Sequence, residues 1–404
     1  MTKTFSDARD KGEHVKVTSR HKPGFLERLR ETSGGMLIGL VAFSLSFYVH
    51  FTNEGRAVKT AASLDEGLSI VVSLDTINRV ASENEGRLIH LSGALSTSKP
   101  LSDPNYGISI ECVKLKRQVE MYQWIEQEDS KEYEENGEIK TETRYSYSTE
   151  WRTEVVSSRH YDREIAHQNP SAMAVESLTA VASSVQVGRF DLSKGLIDKI
   201  GNFRQLSLEN MQAPNAYATI EGDYFYHSLN LRSPEVGDLR VSFHYAGLSG
   251  RASPLGPADV ITVIGRQQGE KVTAYQTKSG DVLELLYLTA LSAEEVFQKE
   301  HESNTLKTWA LRAGGWLMMF LGLSLMTKII HTLVDWLPLV RDLVNIGLNI
   351  FALCVATSLS LLTIACGWLF YRPMWALLIG ALAAVPIVIA KSRNPPKNHL
   401  RKGE

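Results

Sequence analysis

The chain has 404 residues, of which 44% are hydrophobic, and a formal net charge of −2 at pH 7. A nearly neutral chain of this composition does not predict a nucleic-acid-binding surface. Cys112 is the one cysteine within residues 53–308, so an intramolecular disulfide is excluded in that tract. The averages conceal an uneven distribution, because the apolar residues form long runs near both ends of the chain.

The first apolar run extends from Met36 to Phe51, and it could be a signal peptide or a membrane anchor. A signal peptide has a short basic head, whereas 35 residues precede this run. The uncharged stretch that contains the run covers residues 32–53, which is long enough for a transmembrane helix of ~20 residues. We therefore predict an anchor that stays in the mature protein.

Three more apolar runs follow near the C-terminus. Residues 309–330 enclose an uncharged core between Arg312 and Lys328, whose long side chains can reach the membrane surface. Residues 343–371 and 373–390 carry no charge. The chain is therefore expected to cross a membrane four times. The short apolar segment between the second and third spans is expected to lie in the cytosolic interface.

The charges predict how the spans are oriented. Residues 1–35 hold eight Lys/Arg against five Asp/Glu, and residues 391–404 hold five against one. Residues 53–308 hold 26 Lys/Arg against 37 Asp/Glu. Basic segments that flank spans prefer the cytoplasmic side, and an even number of spans brings both tails to the same side. Both tails are expected in the cytosol or nucleoplasm, and the acidic tract in the lumen.

These observations predict eight segments in chain order. They are a basic tail (1–31), a first transmembrane helix (32–53), a lumenal domain (54–308), a second transmembrane helix (309–330), a cytosolic interfacial loop (331–342), a third transmembrane helix (343–371), a fourth (373–390) and a second basic tail (391–404).

The sequence of the predicted lumenal domain (54–308) indicates mostly β-structure. Asn136-Gly137 suits the left-handed backbone of a tight hairpin turn between alternating strands. Residues 169–184 are Ala-rich and predict a helix, as do residues 193–203. Ser292 and Glu295 form a capping box for a helix that leads into the second span. The predicted fold is a multi-pass α-helical membrane protein with a large lumenal α+β domain of mostly antiparallel sheet.

Residues that could carry chemistry are sparse. Glu164 and His167 have the spacing of a helical metal pair, but no further ligand completes a site. Ser249 lies in a Gly-Leu-Ser-Gly stretch that lacks the strand–turn–helix context of a nucleophile elbow. We predict no catalytic, cofactor-binding or metal-binding residue, and thus no enzyme and no cofactor. The cores of the four spans show no buried ionisable residue, which disfavours a channel or transporter.

The third span carries the strongest packing signal. Small or amide side chains recur along it at helical spacing, which lets helices approach closely and bond to one another. These helix-packing candidates are Asn345, Asn349, Ala352, Ala356, Ser358 and Ser360. They could pack within the bundle of one chain or mediate self-association, and the sequence leaves both alternatives open.

Several strings resemble a known family. They are ETSGGM, FTNEGRA, LSDPNYG, ETRYSY, NPSAMAVES, PEVGDLRVSF, YAGLSG, RDLVNIGL, CVATSL and GWLFYRP. Together they are similar to the LUMA family (transmembrane protein 43) from about residue 13 to the last span. The resemblance implies a four-span protein of the inner nuclear membrane and endoplasmic reticulum. It also implies self-association and binding to emerin and to A-type and B-type lamins, in support of nuclear-envelope organisation.

Two functions from different classes follow from these observations. The first is a non-enzymatic scaffold of the nuclear envelope. The second is a lumenal enzyme or lipid-handling module, because residues 54–308 form a domain larger than an anchor requires. A lumenal cleft with converging polar groups would favour the second function.

Overall fold

The computed structural model describes residues 3–4, 14–21, 24–209, 211, 218–250, 253–334, 338–375, 377–378 and 381. The chain divides into two compact units. The sheet unit comprises Met1–Lys22, Gly67–Gln276 and Val282–Val296. The helical unit comprises Pro23–Glu66, Thr277–Asp281 and Phe297–Glu404.

The helices are α1 (Phe25–Ile70), α2 (Lys194–Asp198), α3 (Ala293–Val334) and α4 (Pro338–Tyr371), with single 3₁₀ turns at Ser82–Asn84 and Glu164–Ala166. The first ten strands are β1 (Lys3–Thr4), β2 (His14–His21), β3 (Val72–Ser73), β4 (Leu88–Thr97), β5 (Leu101–Asp103), β6 (Ile108–Ile110), β7 (Cys112–Glu135), β8 (Glu138–Arg152), β9 (Leu178–Val181) and β10 (Val185–Val187). The remaining strands are β11 (Phe190–Leu192), β12 (Arg204–Gln205), β13 (Thr219–Glu221), β14 (Tyr224–His227), β15 (Leu239–Leu248), β16 (Val260–Gln268), β17 (Lys271–Thr273), β18 (Tyr275–Gln276), β19 (Val282–Leu283) and β20 (Leu285–Tyr287).

Two large sheets make up most of the sheet unit. The first has the order β1-β2-β8-β7-β15-β14-β13, with β12 on β15 and β9 on β7. In the second, β16, β17, β11, β10 and β4 pair in sequence, and β4 pairs again with β16, so that five strands form a closed ring. Pairing is antiparallel except between β11 and β17 and between β3 and β4. The expectation of a large, mostly antiparallel region is confirmed.

Each large sheet has its own apolar core. The core of the ring includes the fully buried Ile89, Val187 and Phe190. The core of the first sheet includes Phe225 and Phe243, which are also fully buried. Along the strands, apolar side chains at alternate positions face inward and form these cores, and no disulfide contributes to them.

A long hairpin, β7–β8, confirms the turn predicted at Asn136-Gly137. Strand β7 has 24 residues, and its last residue Glu135 pairs with Glu138 across the turn. Asn136 and Gly137 both have positive φ, at 54° and 79°. This is the backbone of a two-residue hairpin turn, which asparagine and glycine tolerate best.

The helix predicted over residues 169–184 is wrong. The segment is irregular until β9, which pairs antiparallel with residues 114–117 of β7. Asn169 fixes the start of the segment, because its Oδ1 accepts from the backbone N of Trp124 at 2.7 Å and its Nδ2 donates to the Trp124 carbonyl at 2.8 Å. An open strand edge therefore overrides the helix propensity of an Ala-rich segment.

The N-terminal segment, predicted as a basic cytosolic or nucleoplasmic tail, contains a strand of the first sheet. Strand β2 pairs antiparallel with β8 over eight residues, from His14 opposite Tyr145 to His21 opposite Glu138. Asp162 contacts two β2 side chains, with distances of 3.1 Å to His14 Nε2 and 3.2 Å to Lys16 Nζ. Two hydrogen-bonded strands have to lie on the same side of a membrane. The pairing of β2 with β8 is therefore incompatible with the prediction that residues 1–31 and the hairpin lie on opposite sides of a membrane.

Three long helices dominate the helical unit, and each contains a stretch apolar and long enough to cross a membrane: Thr32–Ile70, Ala293–Ile330 and Ile346–Tyr371. The first three predicted spans fall within these stretches, apart from the first residues of the third. Most of the predicted interfacial loop 331–342 is instead helical, because α3 continues to Val334 and α4 begins at Pro338. The fourth predicted span, 373–390, lies mainly outside the described residues, and the count of four remains a prediction.

Candidate functional site: the polar end of the helical bundle

Glycines set how closely the helices of the helical unit approach. A Cβ added to Gly39 of α1 would lie 2.7 Å from the carbonyl oxygen of Gly322 in α3. A Cβ added to Gly322 would lie 2.8 Å from the carbonyl oxygen of Gly39. The two backbones are therefore in direct contact, as is typical of small-residue crossings between membrane helices.

A buried ion pair joins the same two helices further along. Glu54 of α1 is 1% exposed. Arg312 of α3 donates to it from Nε to Oε1 at 2.7 Å and from Nη2 to Oε2 at 2.9 Å. This two-pronged geometry is the strongest form of an Arg–carboxylate contact, and burial makes the loss of either partner costly.

An amide cluster continues the contact toward the end of the bundle. Asn53 Nδ2 donates to the Thr308 carbonyl at 3.0 Å, and Asn304 Nδ2 donates to the Ala57 carbonyl at 3.0 Å. Arg56 donates from Nη1 to Asn304 Oδ1 at 2.9 Å. Its Nη2 donates to Asn53 Oδ1 at 3.0 Å and to Thr308 Oγ1 at 2.9 Å. We call Asn53, Glu54, Arg56, Asn304, Thr308 and Arg312 the polar cluster.

Helical spacing explains why these side chains meet. Asn304, Thr308 and Arg312 are four residues apart and share one face of α3. On α1 the partner side chains come directly after the apolar run, where a helix leaves the hydrocarbon. The cluster was not predicted from the sequence, because Arg312 was interpreted only as a cation that reaches the membrane surface. The four-residue spacing of polar residues ahead of the second span was the available signal.

A second polar contact lies on the apolar side of the cluster. His50 is fully buried, and its Nε2 lies 3.1 Å from Ser360 Oγ of α4. The Ser360 hydroxyl also donates to Met319 Sδ of α3 at 3.4 Å. The Ser360 hydroxyl of α4 therefore contacts both α1 and α3, and connects the three long helices. The prediction that the span cores hold no buried ionisable residue is wrong, since His50 belongs to the core of the predicted first span and is fully buried.

A pocket of about 320 Å³ opens beside the ion pair. We call it the bundle pocket. Trp309 and Trp368 line it, and each carries an arginine over its ring: Arg312 Cζ is 4.8 Å from the Trp309 centroid, and Arg372 Cζ is 5.3 Å from the Trp368 centroid. Indole rings paired with guanidinium groups favour the level of lipid headgroups.

The comparisons with known proteins identify the family. A family model described as Transmembrane protein 43 matches residues 121–373. Proteins named Transmembrane protein 43 from mouse and human are 64% and 63% identical over 397 residues, which are 98% of this chain and 99% of each relative. The chain belongs to the transmembrane protein 43 family. A Drosophila melanogaster homolog is 33% identical over 370 residues, which are 90% of this chain and 95% of the relative. No solved structure matches the chain.

The helix-packing candidates of this transmembrane protein 43 family member fall into two groups. Ala352, Ala356 and Ser360 are buried, and both alanines pack with Met319 of α3. Asn349 and Ser358 are exposed on α4. The side chain of Asn345, the remaining candidate, lies outside the described residues. The structure thus separates a stripe that faces the bundle from two polar residues that face outward.

The sheet unit contains a cleft of about 660 Å³. Hydroxyl groups of Thr97 and Ser249 line it together with the carboxylate of Glu111. Ser249 follows strand β15 directly, is nearly buried, and its Oγ lies 2.6 Å from Thr97 Oγ1. A hydroxyl partner does not activate a serine as a nucleophile, which requires a neighbouring base.

His167, the histidine of the candidate metal pair, and His227 on β14 both lie against aromatic side chains. His167 stacks on Tyr147, with ring centroids 3.8 Å apart, and its Nδ1 lies 2.9 Å from the Arg163 carbonyl. His227 Nε2 lies 2.9 Å from the Tyr106 hydroxyl. Among the described residues, no group of three His, Cys, Asp or Glu side chains could hold a metal ion.

Proposed function

We propose that this protein is a non-enzymatic membrane scaffold of the inner nuclear membrane and endoplasmic reticulum. It supports nuclear-envelope organisation by self-association and by binding emerin and A-type and B-type lamins. The resemblance to the LUMA family is the reason for naming these partners and membranes. Family membership supports the membrane location in general.

One structural observation supports association with other membrane helices. The helical unit turns apolar side chains outward, as at Leu37 and Leu361, which are 65% and 63% exposed. Within this outward surface, α4 presents the small polar residues Asn349 and Ser358. A side chain of this kind can bond to a second helix in the bilayer, where water does not compete. The outward side of α4 is therefore the surface that we assign to self-association.

The proposed topology places both termini in the nucleoplasm or cytosol and residues 54–308 in the lumen. The acidic balance of that tract and the basic balance of both tails support this orientation. In a chain inserted this way, residues 14–21 and the β7–β8 hairpin lie on opposite sides of the first span. Strand β2 therefore cannot pair with β8 in a chain inserted with this topology.

Proximity labelling tests the proposal. The labelling enzyme is fused after residue 404 in one chain and inserted between Asn136 and Gly137 in another. We expect labelled emerin and lamins from the first fusion and labelled lumenal proteins from the second. The same enzyme on an unrelated reticulum anchor is the control. Equal lamin labelling by the control and by the C-terminal fusion would contradict the scaffold function.

A lumenal enzyme or lipid-handling module is the second candidate function, and the cleft around Ser249 favours it. Its polar lining converges on one cavity of a size suited to a small molecule. Soaking the purified chain in extracts of reticulum lipids and metabolites, followed by mass spectrometry of what is retained, tests this candidate. We expect any ligand of the cleft to be lost from a Ser249→Trp variant, in which the indole occupies the cavity.

A further inference from the structure

We propose that the bundle pocket binds the phosphate of an anionic glycerophospholipid, with Arg312 and Arg372 as its ligands. The inference concerns a lipid site within the helical unit and does not depend on emerin, lamins or self-association. It rests on the position of the pocket, its charge and its aromatic lining.

The position of the pocket matches the headgroup level of a bilayer. Three apolar stretches reach it: α1 up to Phe51, α3 from Ala313 onward, and α4 up to Tyr371. The pocket lies where all three become polar, and Ala57 and Ala61 of α1 line one of its walls. Tryptophan is enriched at this level of a membrane, so Trp309 and Trp368 mark the interface.

The charge of the pocket favours an anion. Its lining contains two guanidinium groups, at Arg312 and Arg372, and one carboxylate, at Glu54. Glu54 is sealed behind Arg312, which uses Nε and Nη2 for it and keeps Nη1 for a further acceptor. Within the part of the chain that the structure describes, Arg372 contacts the Trp368 ring and forms no ion pair. Both arginines could bind a phosphate, because the forked N–H groups of a guanidinium match the spacing of phosphate oxygens.

The surroundings favour a lipid over free phosphate. Close to the arginines in sequence are exposed apolar side chains, including Phe370, which is 68% exposed, and Leu311, which is 41% exposed. These surfaces suit the glycerol backbone and the first acyl carbons of a lipid. On the cytoplasmic side of membranes, basic pockets between transmembrane helices bind anionic headgroups, and the same charge attraction applies at this end of the bundle. Inorganic phosphate would gain the charge contacts but not the apolar contacts.

The test uses the full chain in phosphatidylcholine nanodiscs that contain a minor fraction of phosphatidylserine. After mild extraction, native mass spectrometry measures the ratio of phosphatidylserine to phosphatidylcholine that stays bound. Arg372→Gln removes one ligand, and Arg372→Lys restores the charge without the fork. Lys328→Gln, on the same bundle but not in the pocket lining, is the matched control. Ala61→Leu narrows the pocket without changing any charge.

We expect enrichment of phosphatidylserine on the wild-type chain, because both lipids carry a phosphate but only phosphatidylserine has a net negative charge for the two arginines to attract. Arg372→Gln should lower it about tenfold, which corresponds to about 1.4 kcal/mol. Arg372→Lys should recover part of the enrichment, Ala61→Leu should lower it, and Lys328→Gln should leave it unchanged. Circular dichroism of each variant verifies that the helices stay folded. No enrichment on the wild type, equal loss in Lys328→Gln, or full displacement of the lipid by inorganic phosphate would each overturn the proposal.

Discussion

The sheet unit and the helical unit differ in the side chains that they bury and in those that they expose. In the sheet unit, Phe225 and Val263 are fully buried among other apolar residues. In the helical unit, the buried positions include His50 and Glu54, while leucines such as Leu37 point outward. The sheet unit follows the rule for a protein in water, and the helical unit follows the rule for a protein in lipid.

This difference shows which forces hold each unit. Apolar burial stabilises the sheet unit because water surrounds it. Lipid is as apolar as leucine, so the helical unit has to rely on close backbone contacts and polar bonds between helices. Substitutions that remove polar side chains should therefore be most harmful in the helical unit. The predictions below test this contrast.

Loss of the buried ion pair should have the largest effect. Glu54→Ala leaves the partly buried Arg312 without its carboxylate partner, so we expect a loss of about 3 kcal/mol of stability, at the low end for breaking a buried ion pair. The loss of helical circular dichroism on heating in detergent measures it. Asp65→Ala, which removes the partner of His301 at an exposed pair on the same helix, is the control and should melt like the wild type. A wild-type melting curve for Glu54→Ala would show that the ion pair does not stabilise the bundle.

A substitution at the close glycine contact between α1 and α3 should have the second-largest effect on stability. Gly322→Val places a branched side chain against the Gly39 backbone, which cannot move without separating the helices. We expect a destabilisation of about 1–3 kcal/mol by overpacking. Gly314→Val on the same helix is the matched control, because a Cβ there meets no atom within 4 Å. Equal melting temperatures for the two variants would argue against the close crossing.

Substitution of two serines on α4 should have different effects, because one serine faces the bundle and the other faces outward. Ser360→Leu breaks the contact with His50 and crowds the bundle, so it should lower the stability by about 1–3 kcal/mol. Ser358→Leu changes an outward side chain, so topology and lumenal folding should stay normal while self-association changes. Melting curves and co-precipitation of two differently tagged copies measure these effects. If Ser358→Leu instead causes misinsertion, the residue matters for insertion, and its assignment to the self-association surface is wrong.

The hairpin turn tests the sheet unit alone. Gly137→Val forces a β-branched residue to φ near 79°, which should cost about 1–2 kcal/mol. Gly201→Val is the control, because Gly201 has no positive φ and open space around it. Thermal unfolding followed by near-UV circular dichroism compares them. An unchanged melting temperature for Gly137→Val would mean that the turn does not contribute to stability.

The pairing of β2 with β8 provides a test of the membrane topology rather than of stability. Lys16 and Thr143 are opposite each other, so a Lys16→Cys/Thr143→Cys pair should form a disulfide in detergent. In sealed microsomes the proposed topology separates the two residues, and we expect no disulfide. Gln127→Cys/Ser146→Cys, a pair within the hairpin, is the control and should cross-link in both. A disulfide between residues 16 and 143 in sealed microsomes would refute the topology.

The sequence predicted the features that depend on local chemistry. Asn136-Gly137 favours one turn type, and the capping box forms as expected, with Ser292 N donating to Glu295 Oε2 at 2.7 Å and Glu295 N donating to Ser292 Oγ at 3.2 Å. The predicted helix over residues 169–184 failed because its fate depends on an open edge of β7 far along the chain. The closed ring also could not be predicted, since it joins strands separated by most of the domain.

The candidate site shows the same division. Helical spacing placed Ala352, Ala356 and Ser360 on one face, and all three are buried on α4. Spacing alone could not show that Glu54 meets Arg312, because the two residues lie on different helices and neither lies in a conspicuous motif. Pairing between helices is set by the crossing at the glycines, which a single sequence does not reveal.

The closed ring has a consequence for the synthesis of the protein. Ile89 of β4 pairs with Gly265 of β16, which lies 176 positions further along the chain. At ~5–20 residues per second, translation takes roughly 9–35 s to supply β16 after β4 has been made. Until then β4 has an open edge, and such edges invite pairing with other chains. Folding of the sheet unit therefore depends on β4 staying unpaired with other chains during this interval.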